Sequence, residues 1–145
     1  MRVMEGRDIH AVFAIQSAAP EAAQWKAADY ERWRDPGVTQ LVAERDGRIV
    51  GFLVARQVAH ELEILNLAVA PLFRRQGIGR ELLRQVLDSA ATASASNVYL
   101  EVRSSNKLAT AFYQHHGFQI LSRRARYYAA PVDDALVLAL QLKKT

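Results

Sequence analysis

The chain has 145 residues, half of them apolar and 23% charged, the balance of a soluble globular protein and enough for one domain, residues 1–145, with an ordinary core. It has no cysteine, which excludes a disulfide framework and thiolate chemistry, and its apolar runs fall far short of the roughly 18–20 residues that span a bilayer. The formal charge is 19 − 15 = +4 and the isoelectric point about 9.7, which favours acidic partners by long-range steering without implying a nucleic acid.

The opening stretch, MRVMEGRDIHAVF, has no long apolar core before a small-residue cleavage site. No signal peptide is expected, and the cytoplasm is the expected location. Residues 2–4 can form a short first strand. Ile9, Val12, Phe13 and Ile15 recur at helical spacing, which predicts a helix over 8–18 with Asp8 as its N-cap. Residues 21–34, with Ala22, Ala23, Trp25, Ala28, Tyr30 and Trp33, read as a second helix or helical pair. Its tryptophans either pack it on a sheet or wall a substrate groove. Asp35-Pro36-Gly37 is a turn. Residues 38–45 and 48–58 read as strands, and the Asp46-Gly47 pair between them is a strong signal for a two-residue hairpin. Gly51 inside the second run marks a bulge. His60 falls in the next turn and reads as a surface residue.

Residues 62–80, LEILNLAVAPLFRRQGIGR, organise the rest. Residues 62–70 are an apolar, strand-like run that Pro71 ends, because proline has no N–H for a ladder. A basic glycine turn follows, and then Ile78, Leu82, Leu83, Val86, Leu87, Ala90 and Ala91 at helical spacing. A helix start carries unpaired N–H groups and partial positive charge. Gly77 and Gly79 remove side chains that would hold a ligand off the backbone, and Arg74, Arg75 and Arg80 add full charges. Strand, turn and helix together suit a phosphate group. Residues 97–103 form the next strand, with Tyr99, Glu101 and Arg103 on one face. Residues 106–116 form a helix stopped by Gly117, and residues 118–122 and 134–142 are two further strands. Strands and helices without regular alternation predict an α+β (mixed α/β) fold. No internal repeat is present.

Arg74-x-x-Gly77-x-Gly79 after a strand ending in Ala-Val resembles the pyrophosphate loop of the GCN5-related N-acetyltransferases. It is not a nucleotide P-loop, since no Lys-Ser/Thr follows the second glycine. The resemblance implies a central mixed, mostly antiparallel sheet flanked by helices on both faces, with acetyl-CoA as co-substrate and no metal. ELEILNLAVAP, YLEVRSSN, AFYQHHGF and RRARYY narrow it to the RimI-type alanine N-acetyltransferases of ribosomal proteins. By that resemblance the backbone of Leu67, Ala68 and Val69 pairs with the pantetheine arm. Arg74, Arg75, Gln76, Gly77, Ile78, Gly79 and Arg80 hold the pyrophosphate, and Asn106 contacts the coenzyme further along.

The same resemblance gives Glu101 as the general base, acting through a water, and Tyr113 as the acid for the leaving thiolate. Each has a plainer reading: Glu101 as a strand carboxylate paired to Arg103 or Arg123, and Tyr113 as a partly buried helix aromatic. Tyr127 and Tyr128, in a loop near the incoming peptide, and Glu63 are the expected substrate contacts. The tyrosines can equally be core residues of a solvated basic hairpin. His115 and His116 read as helix-end residues, too close in the chain to argue a metal site alone. The expected partner is a protein or peptide N-terminus, that of a ribosomal protein, with no direct nucleic acid or membrane contact and a monomer or weak dimer as the working form. A small amine or a lysine side chain is the alternative acceptor, and a non-catalytic acetyl-CoA sensor the alternative class.

Overall fold

The computed structural model describes residues 1–19, 22–30, 35–129 and 131–142. Among them lie seven strands: β1 (Arg2–Val3), β2 (Val38–Arg45), β3 (Arg48–Val58), β4 (Glu61–Val69), β5 (Asn97–Arg103), β6 (Gln119–Ala129) and β7 (Val132–Gln141). Four α-helices accompany them: α1 (Ile9–Ser17), α2 (Ala27–Tyr30), α3 (Ile78–Thr92) and α4 (Lys107–His115). The strands form one sheet in the order β1-β2-β3-β4-β5-β7-β6. Every neighbouring pair is antiparallel except β4 and β5, which run parallel.

Side-chain alternation along β3 builds a core on each face of the sheet. Leu53 and Ala55 face α3, whose Ile78, Leu82, Leu83 and Val86 are almost fully buried. Phe52 and Val54 face the other way, onto Val12 and Ile15 of α1 and Tyr30 of α2. Asp46 and Gly47 both take positive φ, 52° and 77°, the mirror-image turn whose twist matches a two-residue hairpin. The first bulge falls beside Gly51. Ala43 pairs with Gly51 and Glu44 with Ile49, so Val50 is the extra residue. Gly51 serves close packing instead: a Cβ there would lie 3.1 Å from Ile78 Cγ2 and 3.2 Å from the Ala68 carbonyl oxygen.

Three expectations are corrected. Asp8 holds the expected N-cap position of α1, but its side chain does not cap that helix; it closes the preceding 3₁₀ turn, Gly6–Asp8, by accepting the Glu5 N–H at 2.8 Å. Its carboxylate also pairs with Arg2 at 2.6 Å, which lowers its pKa. The second helix is short, because residues 22–26 are not helical and their backbone bonds in part to the side chains of Asn66 and Gln16. Trp25 packs on Tyr30, with ring centroids 5.1 Å apart, whereas Trp33 lies outside the described residues. Finally, the RRARYY stretch is not a loop: β6 runs through it, and three residues, 125–127, break the register against β7.

A second bulge shapes the site. Val54 pairs with Asn66 and Ala55 with Ile64, which leaves Leu65 extra in β4. Plain alternation from Leu62 and Ile64 would carry Asn66 into the α3 core. The extra residue turns it to the α1 face instead, where it meets Tyr30. Past this point β4 leaves β5. Their pairing covers only Glu61–Glu63 against Asn97–Tyr99, and beyond it the two strands part.

Candidate active site

A cleft of about 910 Å³ opens where β4 and β5 part. Leu67, Ala68 and Val69 line it from β4, residues 74–80 from the basic turn, Glu101 from β5 and Tyr113 from α4. Residues spread over 47 positions of sequence (113 − 67 + 1) thus meet in one space.

The β4 wall presents backbone. Ala70 N–H donates to the Val50 carbonyl at 2.8 Å. Groups bonded to β3 therefore recur at Ala68 and Asn66, and the N–H and C=O groups of Leu67 and Val69 point away, toward the cleft. Val69 C=O there accepts from Arg74 Nε at 3.4 Å. A strand edge of this kind, with no neighbouring strand, binds an extended chain of amides as an added strand would.

The turn between β4 and α3 is built for anions. A 3₁₀ turn, Pro71–Phe73, redirects the chain after β4. Arg75 and Gly77 then take positive φ, 63° and 77°, and Gly77 forms the N-cap of α3. The first N–H groups of a 15-residue helix and three arginines converge there. An added Cβ on Gly77 would find only Arg80 Nη2 within 4 Å, at 3.7 Å, so space is not what demands glycine; the left-handed backbone is. Gly77→Ala is expected to weaken acetyl-CoA binding about tenfold through that strain, read by titration calorimetry, with the far-ultraviolet spectrum unchanged.

At the other end stand two titratable groups. The Glu101 side chain is 31% exposed, and its carboxylate lies 3.6 Å from Arg124 Nη1. The two expected arginines engage other groups. Arg123 pairs with Asp134 at 2.7 Å, and Arg103 lies over the Tyr128 ring at 4.3 Å while donating to the Pro131 carbonyl at 2.8 Å. Tyr113 is buried between Phe112 and Phe118, with centroids at 5.2 and 5.4 Å. Burial pushes its phenol well above the ordinary range, so it stays protonated at neutral pH. No described residue hydrogen bonds its hydroxyl.

Other expected residues sit outside the cleft lining. The Asn106 carboxamide caps α4 by accepting Ala109 N–H at 3.1 Å. Glu63 pairs with Arg56 at 3.5 Å. Tyr127 and Tyr128 stack edge-on at 5.2 Å on β6, and Tyr127 is half exposed. His116 packs on Phe112 at 4.7 Å, and burial together with His115 and Arg80 lowers its pKa. Sequence reasoning missed Ala23, Leu108, Ala109 and Phe112 as lining residues. The last three lie on the α4 face that Tyr113 marks, five, four and one positions before it; nothing local marks Ala23.

A ligand with phosphates at one end, amides along its length and a reactive group at the other spans this cleft from the α3 N-terminus to Tyr113. Coenzyme A esters have that form, and a transferase using an acyl donor of this class is what the fold and cleft define. The family model described as the acetyltransferase (GNAT) family matches residues 8–118, and the chain belongs to that family. It is an acetyl-CoA-dependent N-acetyltransferase. Among its relatives is the ribosomal protein bS18-alanine N-acetyltransferase of Salmonella typhimurium, 31% identical over 142 residues, covering 97% of this chain and 95% of that one. The crystal structure of the ribosomal-protein-S18-alanine N-acetyltransferase of Escherichia coli superposes with a TM-score of 0.89 at 28% identity, over 99% of this chain and 94% of that one. Naa20 of Chaetomium thermophilum, solved with a bisubstrate analogue, gives 0.85 at 26% identity, over 99% and 86%. Among the described residues no helix is long and apolar enough to cross a membrane.

Proposed function

We propose that this enzyme acetylates the α-amino group of a protein N-terminus, that of a ribosomal protein beginning with alanine, in the cytoplasm. The observation that carries the reading is Glu101 and Tyr113 lining one cleft with the stretch of β4 that has parted from β5. The relatives named for alanine N-acetylation of bS18 support the choice of acceptor.

Acetyl-CoA, when bound, supplies a thioester carbon open to attack by an amine. The chain's part is positioning and proton handling. Leu67 and Val69 present backbone groups to the pantetheine amides, and Arg74, Arg75, Arg80 and the α3 N-terminus hold the pyrophosphate. Glu101 accepts a proton from the ammonium, directly or through one water. A free α-amino group has a pKa near 7.7–8.0, so roughly a tenth is already neutral at pH 7 and a modest base suffices. A backbone N–H of the β4 edge faces the carbonyl oxygen as it gains charge. Tyr113, neutral at this pH, gives its proton to the departing sulfur.

The test is coenzyme A release from acetyl-CoA, followed by a thiol reagent, with three peptides. These are an alanine-starting hexapeptide, its α-acetylated form and a blocked peptide carrying lysine. Turnover with the free peptide alone is expected. Turnover with the blocked lysine peptide would move the acceptor to a side chain.

A further inference from the structure

Asn66 is a polar residue, 4% exposed, in an apolar strand, and the chemistry above uses none of its side-chain atoms. The bulge at Leu65 turns it to the α1 face. There its carboxamide takes hold of a single residue's backbone. Oδ1 accepts the Ala23 N–H at 3.1 Å, and Nδ2 donates to the Ala23 carbonyl at 3.1 Å. A neighbouring strand would make the same pair of bonds, so the side chain stands in for a strand and keeps residues 22–26 out of a helix. The same Oδ1 accepts Leu67 N–H at 3.1 Å, and Nδ2 also donates to the Tyr30 hydroxyl at 3.2 Å. Tyr30 donates in turn to Gln16 Oε1, and Gln16 Nε2 donates to the Trp25 carbonyl at 2.8 Å. The network grips the segment at Ala23, Trp25 and Tyr30 and anchors it to α1.

Ala23 lines the cleft beside Leu65 and Leu67, at the end away from the basic turn. We infer that Asn66 is a positioning residue for the acceptor: it fixes residues 22–26 as the wall along which the amine-bearing chain lies, in register with the Leu67 backbone. This rests on the reading that the Glu101 end of the cleft takes the acceptor. Without the carboxamide, Ala23 N–H loses its partner and Ala23 C=O keeps only the Trp25 N–H at 3.2 Å, and the segment shifts to find others. The basic turn lies beyond Val69, so the pyrophosphate contacts are spared, and the Leu67 N–H released from Oδ1 stays on the same strand edge.

Two variants test it. Asn66→Ala removes the clamp. Asn66→Asp keeps an acceptor for the Ala23 and Leu67 N–H groups but loses the donor to Ala23 C=O and to Tyr30. Three quantities are read: KM for the alanine hexapeptide, Kd for acetyl-CoA, and amide hydrogen exchange over residues 22–30. Asn66→Ala is expected to raise the peptide KM about tenfold, leave acetyl-CoA Kd within about threefold and speed exchange at 22–26, with Asn66→Asp between it and wild type. An unchanged peptide KM overturns the proposal. So do peptide KM and acetyl-CoA Kd rising together, the mark of a merely structural role. If the wild-type protein does not turn over the peptide, the acceptor reading fails instead. Exchange alone then decides the clamp: faster exchange at 22–26 in Asn66→Ala upholds it, and unchanged exchange overturns it.

Discussion

Tyr113→Phe is expected to lower kcat about 100-fold, or about 2.7 kcal/mol of barrier, while acetyl-CoA binds as before. The substitution removes one oxygen and keeps the ring that packs between Phe112 and Phe118. Fold and cleft shape are therefore preserved, and the loss reads the proton alone. The raised phenol pKa sets the pH behaviour. Tyr113 acts in its protonated form, so wild-type kcat keeps its acid through neutral pH and well into the alkaline range. Thiol release at saturating substrates checks the rate, and calorimetric titration checks binding. A variant with wild-type kcat would leave Tyr113 as a packing residue.

Glu101→Gln should cost about 100-fold in kcat/KM for the peptide at pH 7, and the deficit should shrink as pH rises. The reason lies in the acceptor. An α-amino group titrates near 7.7–8.0, so by about pH 9 most of it is neutral without help. The base is then redundant for the first proton, and wild type and variant converge. If Glu101 served only as the partner of Arg124 at 3.6 Å, the variant would show a pH-independent deficit or none. Peptide profiles from pH 6.5 to about 9.5 separate the two roles.

Much of the fold was legible where local chemistry decides it. β2 and β3 fall on the expected residues, because Asp46 and Gly47 dictate the turn and the flanking β-branched runs dictate the rest. The β4–turn–α3 unit was equally plain, since Pro71, Gly77 and the helical repeat each mark a boundary. What escaped is what partners impose. Leu65 carries no mark of a bulge, yet it decides which face Asn66 occupies and where β4 leaves β5. Residues 22–26 have helical composition, but the Asn66 carboxamide takes the backbone bonds a helix would need. The Asn106 oxygen caps α4, a role its position at the start of that helix gives it and the resemblance did not. The insertion of β7 between β5 and β6 has no local signature; it follows from which edge the last strand finds unpaired.

The cleft was readable in its residues and not in its geometry. Glu101 and Tyr113 were identifiable by resemblance, and the structure brings both to one space with the β4 edge. The arginine beside Glu101 was not, because Arg124 reaches it only through β6, whose register breaks at 125–127.

The most direct test of the central claim, attack by the acceptor amine on a thioester held in this one cleft, is the initial-velocity pattern with both substrates varied. Glu101, Tyr113 and the β4 edge share a single space, and the chain has no cysteine to carry an acyl group. Double-reciprocal lines that intersect are predicted, with no acetyl group on the protein after incubation with acetyl-CoA alone. Parallel lines, with a stable acetyl adduct on the chain, would contradict it.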